Sequence, residues 1–119
     1  MIQITPHMRI LVAVEPIDLR AGIDGLVSQC RKLLIGEPFS GALFVFGNRG
    51  RTALKILIYG GQGFWLCHKR LSVGKFTWWP AGHEQGLTLQ ACELQALLMA
   101  GNPTQAQAAP AWRALSVAA

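Results

Sequence analysis

The stretch "GALFVFGNRGRTALKILIYGGQGFWLCHKRLSVGKFTWWP", residues 41–80, decides the fold. Its apolar runs at 42–46, 53–59, 64–69 and 75–79 are separated by the glycine-containing segments "GNRGR", "GGQG" and "LSVG". Glycine adopts the positive φ values that tight turns need, and short apolar runs bounded by such turns are typical of strands. Because links this short cannot hold a crossover helix, the runs predict an antiparallel β-meander.

The residues before the meander predict one more strand and one amphipathic helix. "MRILVAVEP" is aliphatic up to Pro16, which indicates a strand at about residues 8–14. Apolar side chains then recur at helical spacing until Gly36 and Pro38; they are Ile23, Leu26, Val27, Cys30, Leu33 and Leu34. We expect an α+β fold, in which a meander of about four to five strands packs on this main helix. The nearly continuous apolar runs also indicate that both faces of the middle strands are partly covered.

The composition changes after Pro80. A loop, "AGHEQG", leads into a predicted second helix in "LTLQACELQALLMAGNP", which Thr88 or Gln90 begins and Gly101 ends. Its apolar side consists of Leu87, Ala91, Leu94, Leu97 and Leu98. The remainder is rich in Ala, Gln and Pro, as mobile tails are. We therefore predict one domain over residues 1–100 and a flexible tail over residues 101–119.

The composition limits the class of protein. Of 119 residues, 51% are hydrophobic and 14% charged, which fits one globular domain and suggests that a partner covers part of its surface. The uncharged, apolar run of residues 39–48 is too short to cross a bilayer, and "MIQITPHMRI" lacks the plan of a signal peptide. We expect a cytoplasmic protein without membrane association. Cys30, Cys67 and Cys92 fit reduced thiols. They do not form a zinc-binding spacing with the histidines, so we expect neither a metal nor another cofactor.

The charges are unevenly distributed. The formal net charge is +5, yet no acidic residue lies between Glu37 and Glu84. That interval contains Arg49, Arg51, Lys55, Lys69, Arg70 and Lys75. A field of one sign over half of a small domain favours a polyanionic partner. The alternative is that these cations keep strand edges soluble and unpaired.

The sequence offers no catalytic motif. The glycine-rich segments do not have the phosphate-loop pattern and do not lie between a strand and a helix N-terminus. The acidic residues cluster early, and Asp18 and Asp24 flank a helix start, where carboxylates are favoured without catalysis. Neither a nucleophile elbow nor a credible Cys-His pair is present. We expect a protein that is not an enzyme.

Features of nucleic-acid binding are concentrated in the meander. Arg49 and Arg51 bracket Gly50 at one loop tip, where long cations can reach phosphates. A second turn is surrounded by Lys69, Arg70 and Lys75. Aromatic rings at Phe64, Trp65, Phe76, Trp78 and Trp79 would offer stacking surfaces if exposed, although such rings more often belong to a core or an interface. No motif for sequence-specific readout is present.

Four blocks, "PIDLRAGIDGL", "PFSGALFVFGNRGRTALKILIY", "GGQGFWLCHKRLSVGKFTWW" and "ELQALLMAG…AWR", follow one another as in the TnpB accessory proteins of the insertion-sequence-66 family. The resemblance covers nearly the whole chain. It implies a small protein encoded beside a larger DDE transposase and needed for efficient transposition. The matching positions are Pro16, Asp18, Arg20, Gly22, Asp24, Gly25, Phe44, Phe46, Asn48, Arg49, Lys55, Gly61, Gly63, Lys69, Arg70, Leu71, Gly74 and Phe76. The chain departs from the family at Ala21, where a basic residue is usual, and at Gly60, where an acid is usual.

Two hypotheses follow. The first is a non-enzymatic accessory factor that contacts the DNA of the element ends, within a transposase complex; its phosphate contacts would be Arg49, Arg51, Lys55, Lys69, Arg70, Lys75 and, beside the first helix, Arg20. The second is an adaptor that docks on the transposase or another element-encoded protein and never touches DNA. Its interface would comprise Trp78, Trp79, Leu94, Leu97, Leu98 and Trp112.

Overall fold

A computed structural model describes residues 8–32, 40–82 and 86–101 of the chain. They form five strands and two helices: β1 (Ile10–Ala13), α1 (Ile23–Lys32), β2 (Leu43–Gly47), β3 (Ala53–Tyr59), β4 (Phe64–Arg70), β5 (Gly86–Leu89) and α2 (Ala91–Leu98). The predicted α+β class is confirmed. Within the described part of the chain, no helix is long and apolar enough to cross a membrane.

The strands form one mixed sheet in the order β4-β3-β2-β1-β5. The hairpins β2–β3 and β3–β4 are antiparallel, as the short turns predicted. The sheet is not antiparallel throughout, because β1 and β2 pair in parallel, with Leu11 opposite Phe44. The chain between these two strands contains α1, so the crossover helix that parallel pairing requires precedes the meander.

The sheet is covered on both faces. On one face, Leu26 and Cys30 of α1 pack against the strands; the strand residues there are Leu11, Ala13, Phe44, Phe46 and Leu57. On the other face, Leu94 and Leu97 of α2 pack against Ile10, Val12, Leu43, Val45, Leu54, Ile56, Ile58, Phe76 and Leu89. This double coverage explains why β1 and β2 are buried at every position, as the continuous apolar runs indicated.

The start of α2 decides between the two predicted helix openers. Gln90 is the N-cap, and its backbone N–H donates to Oε1 of Glu93 at 2.8 Å. Thr88 belongs to β5, opposite Leu11. The placement of Leu87 on the helix was wrong, because it lies in β5 opposite Val12. The four residues of β5 form backbone hydrogen bonds with β1, and these bonds would be lost if α2 began earlier.

The prediction of a strand at 75–79 was also wrong, because these residues form neither strand nor helix. The segment turns back at Gly74, whose φ is +80°, and crosses the end of the sheet. There the backbone N–H of Phe76 donates to the carbonyl of Arg51 at 2.7 Å. The Trp79 indole Nε1 donates to the carbonyl of Ala13 at 3.0 Å. The aromatic side chains that suggested a strand instead cover the ends of β1 and β2.

Several predicted features lie outside the described residues. Leu33 and Leu34 and the helix end at Gly36 and Pro38 are among them. So is the tail beyond residue 101, with Trp112. The division into residues 1–100 and 101–119 therefore stays a prediction.

Gly47 allows Trp79 to lie against the end of β2, because a Cβ at position 47 would fall 2.6 Å from the indole ring. We predict that Gly47→Ala lowers the free energy of unfolding by about 1–3 kcal/mol, the usual effect of overpacking. Gly50→Ala is the matched control, since its Cβ would meet no atom closer than 3.9 Å and its φ is not positive. Urea unfolding of both variants measures the difference; equal stabilities would contradict this role of Gly47.

Candidate nucleic-acid interface

The topology gathers most of the predicted phosphate contacts at one end of the sheet. β1 and β2 are parallel, so the loop after β1 (residues 14–22) and the turn after β2 (residues 48–52) leave the sheet side by side. A hydrogen bond of 2.9 Å from the Ile17 N–H to the Gly47 carbonyl joins them. β4 ends at the same place, because Arg70 pairs with Ala53. We call this region the basic end; it holds Arg20, Arg49, Arg51, Arg70 and Lys75, with Lys55 and Lys69 on the adjoining strands.

Asn48 fixes the conformation of the turn that carries Arg49 and Arg51. Its side-chain Oδ1 accepts hydrogen bonds from the backbone N–H of Thr52 at 3.0 Å and of Ala53 at 3.2 Å. Its Nδ2 donates to Thr52 Oγ1 at 3.0 Å. The following segment adds two backbone bonds, from Leu71 to Thr52 and from Phe76 to Arg51. The two arginines therefore project from a turn whose backbone is held on both sides.

Arg51 occupies the left-handed region of backbone space, with φ +58°. This conformation favours glycine and costs an ordinary residue about 1–2 kcal/mol. The chain thus keeps a long cation where glycine would be more stable, an arrangement that is found at functional sites.

Three of the seven predicted cations are engaged within the chain. Lys55 Nζ donates to the Ala21 carbonyl at 3.1 Å, and Lys69 Nζ donates to the Leu98 carbonyl in the last turn of α2. A cation at that position stabilises the C-terminal end of the helix dipole. Arg20 forms an ion pair with Asp18, with 2.7 Å between the closest nitrogen and oxygen.

The side chains of the other four cations are exposed and form no hydrogen bond or ion pair with any described residue. They are Arg49, Arg51, Arg70 and Lys75, and we call them the basic rim. Arg49 and Arg51 lie on the β2–β3 turn, Arg70 ends β4, and Lys75 precedes the residue that is bonded to Arg51. Exposed unpaired cations can exchange bound counterions for phosphate groups at small desolvation cost.

A cleft of about 400 Å³ lies beside the rim, on the face of the sheet that α1 covers. Asp18, Leu19, Arg20, Asn48, Thr52, Ala53, His68 and Arg70 line it. His68 is exposed and sits opposite Lys55 in the β3–β4 register. The sequence analysis assigned no role to His68, since only the folded sheet brings it to the loop before α1.

The acidic residues of this end lie on the side of α1. Glu15 and Asp18 are in the loop after β1, and Asp24 is in the first turn of the helix. The described residues include no group of three or more His, Cys, Asp or Glu side chains that could hold a metal ion. The rim cations and the carboxylates of Glu15, Asp18 and Asp24 therefore lie on different sides of the basic end.

The predicted protein-interface residues are divided between the interior and the surface. Leu94 and Leu97 are fully buried under the sheet of their own chain, and Leu98 is partly buried beside them. Trp78 and Trp79 are half-buried and line a groove of about 340 Å³ together with Val14 and Leu87. Of this set, only Trp78, Trp79 and Leu98 keep surface that a partner can reach among the described residues.

The Asp18–Arg20 pair gives a prediction for pH titration. Hydrogen bonds from the Arg20 side chain and backbone lower the pKa of Asp18 from 3.8 to about 2. The same contact raises the pKa of Arg20. Because the folded pKa lies below the unfolded one, the contact stabilises the fold above pH 3.8, and this is lost as the pH falls through about 2. Carboxyl NMR should show Asp18 titrating near 2, and nearer 3.8 in Arg20→Gln; a wild-type value near 3.8 would refute the contact.

The backbone of Arg51 gives a second prediction. Arg51→Gly relieves the left-handed strain, whereas Arg49→Gly removes the same charge from a residue whose φ is not positive. Both variants gain the same freedom in the unfolded chain, so the difference isolates the strain. We expect Arg51→Gly to be more stable than Arg49→Gly by about 1–2 kcal/mol in urea unfolding. Equal stabilities would mean that Arg51 is not strained.

Comparison with known proteins connects this geometry to a family. Residues 8–108 match the family model described as IS66 Orf2 like protein. Two curated relatives come from Sinorhizobium fredii. Uncharacterized protein y4jC is 35% identical over 94 residues, which are 79% of each chain. Uncharacterized protein y4hO is 33% identical over 92 residues, 77% of this chain and 79% of the relative. No solved structure matches. The resemblance seen in the four sequence blocks is confirmed, and the chain belongs to the IS66 Orf2-like family of insertion-sequence proteins.

Proposed function

We propose that the protein is a non-enzymatic accessory factor of transposition that contacts the phosphates of element DNA through the basic rim. Family membership associates the chain with insertion sequences of the IS66 type. The finer assignment rests on one observation: the side chains of four exposed cations at one end of the sheet have no partner among the described residues. In this proposal the protein works in the cytoplasm, on the element ends or beside the transposase.

The geometry of the rim supports contact with a phosphate backbone. The side chains of Lys55, Lys69 and Arg20 are held by partners within the chain, whereas the rim side chains make no such contact with the described residues. Asn48 holds the β2–β3 turn, so Arg49 and Arg51 lose less backbone freedom when they bind. Contacts of this kind position DNA and carry no sequence information, so the binding that we propose is independent of sequence.

The adaptor hypothesis has its own support in exposed apolar side chains. Trp65 on β4 is 51% exposed, and Met99 after α2 is 82% exposed. Val73, in the segment that leads to Lys75, is 86% exposed. A protein partner that covered these residues would bind chiefly by apolar burial, which salt does not weaken.

Salt dependence of DNA binding tests the proposal. We expect the wild-type protein to bind a labelled duplex with a steep negative slope of log affinity against log salt. Arg49→Ala with Arg51→Ala should weaken binding and flatten that slope by up to ~2 units, because each lost phosphate contact removes about one. Fluorescence anisotropy on an element-end duplex and a scrambled duplex of equal length measures both quantities, and the two duplexes should bind equally.

Arg9→Ala with Lys32→Ala is the matched control. Both residues are exposed and lie at the other end of the sheet, before β1 and at the last described residue of α1. The control loses the same charge and should keep the wild-type slope. A slope that falls equally in both double variants would mean that net charge, and not the rim, attracts DNA. Absence of DNA binding at low salt, with salt-resistant binding to the transposase, would favour the adaptor.

A further inference from the structure

β4 is a long edge strand. It spans seven residues and has β3 on one side only, with no strand on its outer side among residues 8–32, 40–82 and 86–101. From Cys67 to Arg70 it is exposed, and Trp65 is 51% exposed. An edge of this length presents a row of backbone donors and acceptors that can pair with another strand. The β5 edge, at the opposite side of the sheet, has only four residues.

The hydrogen-bonding pattern of the β3–β4 hairpin shows which backbone groups of β4 face away from β3. The N–H of Gly60 donates to the Gly63 carbonyl at one end, and the N–H of Leu71 donates to the Thr52 carbonyl at the other. Bonded and non-bonded pairs alternate between these two points. Trp65, Cys67 and Lys69 therefore bond to β3, while the backbone groups of Phe64, Leu66, His68 and Arg70 face outward.

The side chains of β4 change character along the strand. Phe64, Trp65 and Leu66 come first, Cys67 is central, and the second half is His68, Lys69 and Arg70. A second copy of this strand in antiparallel orientation would place the apolar half of one copy opposite the cationic half of the other. A parallel copy would instead place cation beside cation, which is unfavourable.

We propose that the outer edge of β4 binds the β4 edge of a second copy of the chain, antiparallel and centred on Cys67. In this register Trp65 faces Lys69 of the second copy, and Phe64 faces Arg70, which are favourable contacts between a ring and a cation. Leu66 and His68 form an outward-facing pair, as the hydrogen-bond phase requires. The occupant of the edge is thus another copy, and the two five-stranded sheets become one of ten strands.

This register gives Cys67 a diagnostic position. Cys67 bonds inward to β3, so the two central residues form a non-hydrogen-bonded pair across the new interface, with Cα atoms about 4.5 Å apart. That separation lies in the range that a disulfide can bridge. Mild oxidation of the dimer should therefore link the two chains through Cys67, whereas Cys92 lies in α2.

Light scattering and sedimentation under reducing conditions test the proposal over a broad dilution series. We expect a particle of twice the 12.9 kDa chain mass. His68→Pro removes an outward N–H and leaves the β3–β4 ladder intact, so it should yield a folded monomer. Trp65→Lys places two cations opposite each other and should raise the dimer dissociation constant at least tenfold. Trp65→Phe keeps an aromatic ring and should retain the dimer.

Cross-linking supplies a readout that does not depend on these variants folding. Oxidised Cys92→Ser protein should form a covalent dimer, and Cys67→Ser protein should not. A wild-type chain that stays monomeric at every concentration would overturn the proposal and leave the edge to residues 102–119 or to a different protein. A dimer that resists Trp65→Lys and does not cross-link through Cys67 would overturn it as well, since another surface would then hold the copies together.

Discussion

The parallel pairing of β1 with β2 is the constraint on which the candidate site depends. Because the two strands run in the same direction, the loop with Asp18 and Arg20 and the turn with Arg49 and Arg51 emerge at the same end of the sheet. The α1 crossover that parallel pairing requires also covers one face, which leaves the other to α2. An antiparallel β1 would send the Asp18 loop to the opposite end and separate Arg20 from the rim. The topology therefore brings together the segments that line the cleft.

The cations of the basic end have unequal physical roles. Lys69 donates to a carbonyl in the last turn of α2, where the helix dipole favours a cation, and Lys55 connects β3 to the loop before α1 through the Ala21 carbonyl. The rim residues make no such contact with the described residues, and Arg51 is held in a conformation that destabilises the chain. Stability alone would select glycine at position 51. The cost at that position is one physical reason to assign the rim to binding.

The sequence predicted much of the fold, because its periodicity and turns report local structure. The β2–β3–β4 meander, the apolar face of α1 and the cap region of α2 followed from spacing alone. Residues whose partners are distant in sequence could not be predicted in this way. The sequence predicted a strand at Trp79, whereas its contacts in the fold, Gly47 of β2 and Ala13 of β1, are distant in sequence. For the same reason, the sequence could not show that Lys55 and Lys69 are engaged, because their partners, Ala21 and Leu98, are distant along the chain; the ion pair of Arg20 with Asp18 is local.

The rim and the β4 edge share a residue, which fixes how the two proposals fit together. Arg70 ends β4 and belongs to the rim, so an antiparallel second copy places the two rims at opposite ends of the joint sheet. Because Arg70 of one copy lies opposite Phe64 of the other, the two Arg70 residues would be about 20 Å apart along the strands, a separation that one DNA duplex spans along its axis. In that dimer the twofold axis presents two equivalent rims, and the contacts of either rim with phosphates would carry no sequence information.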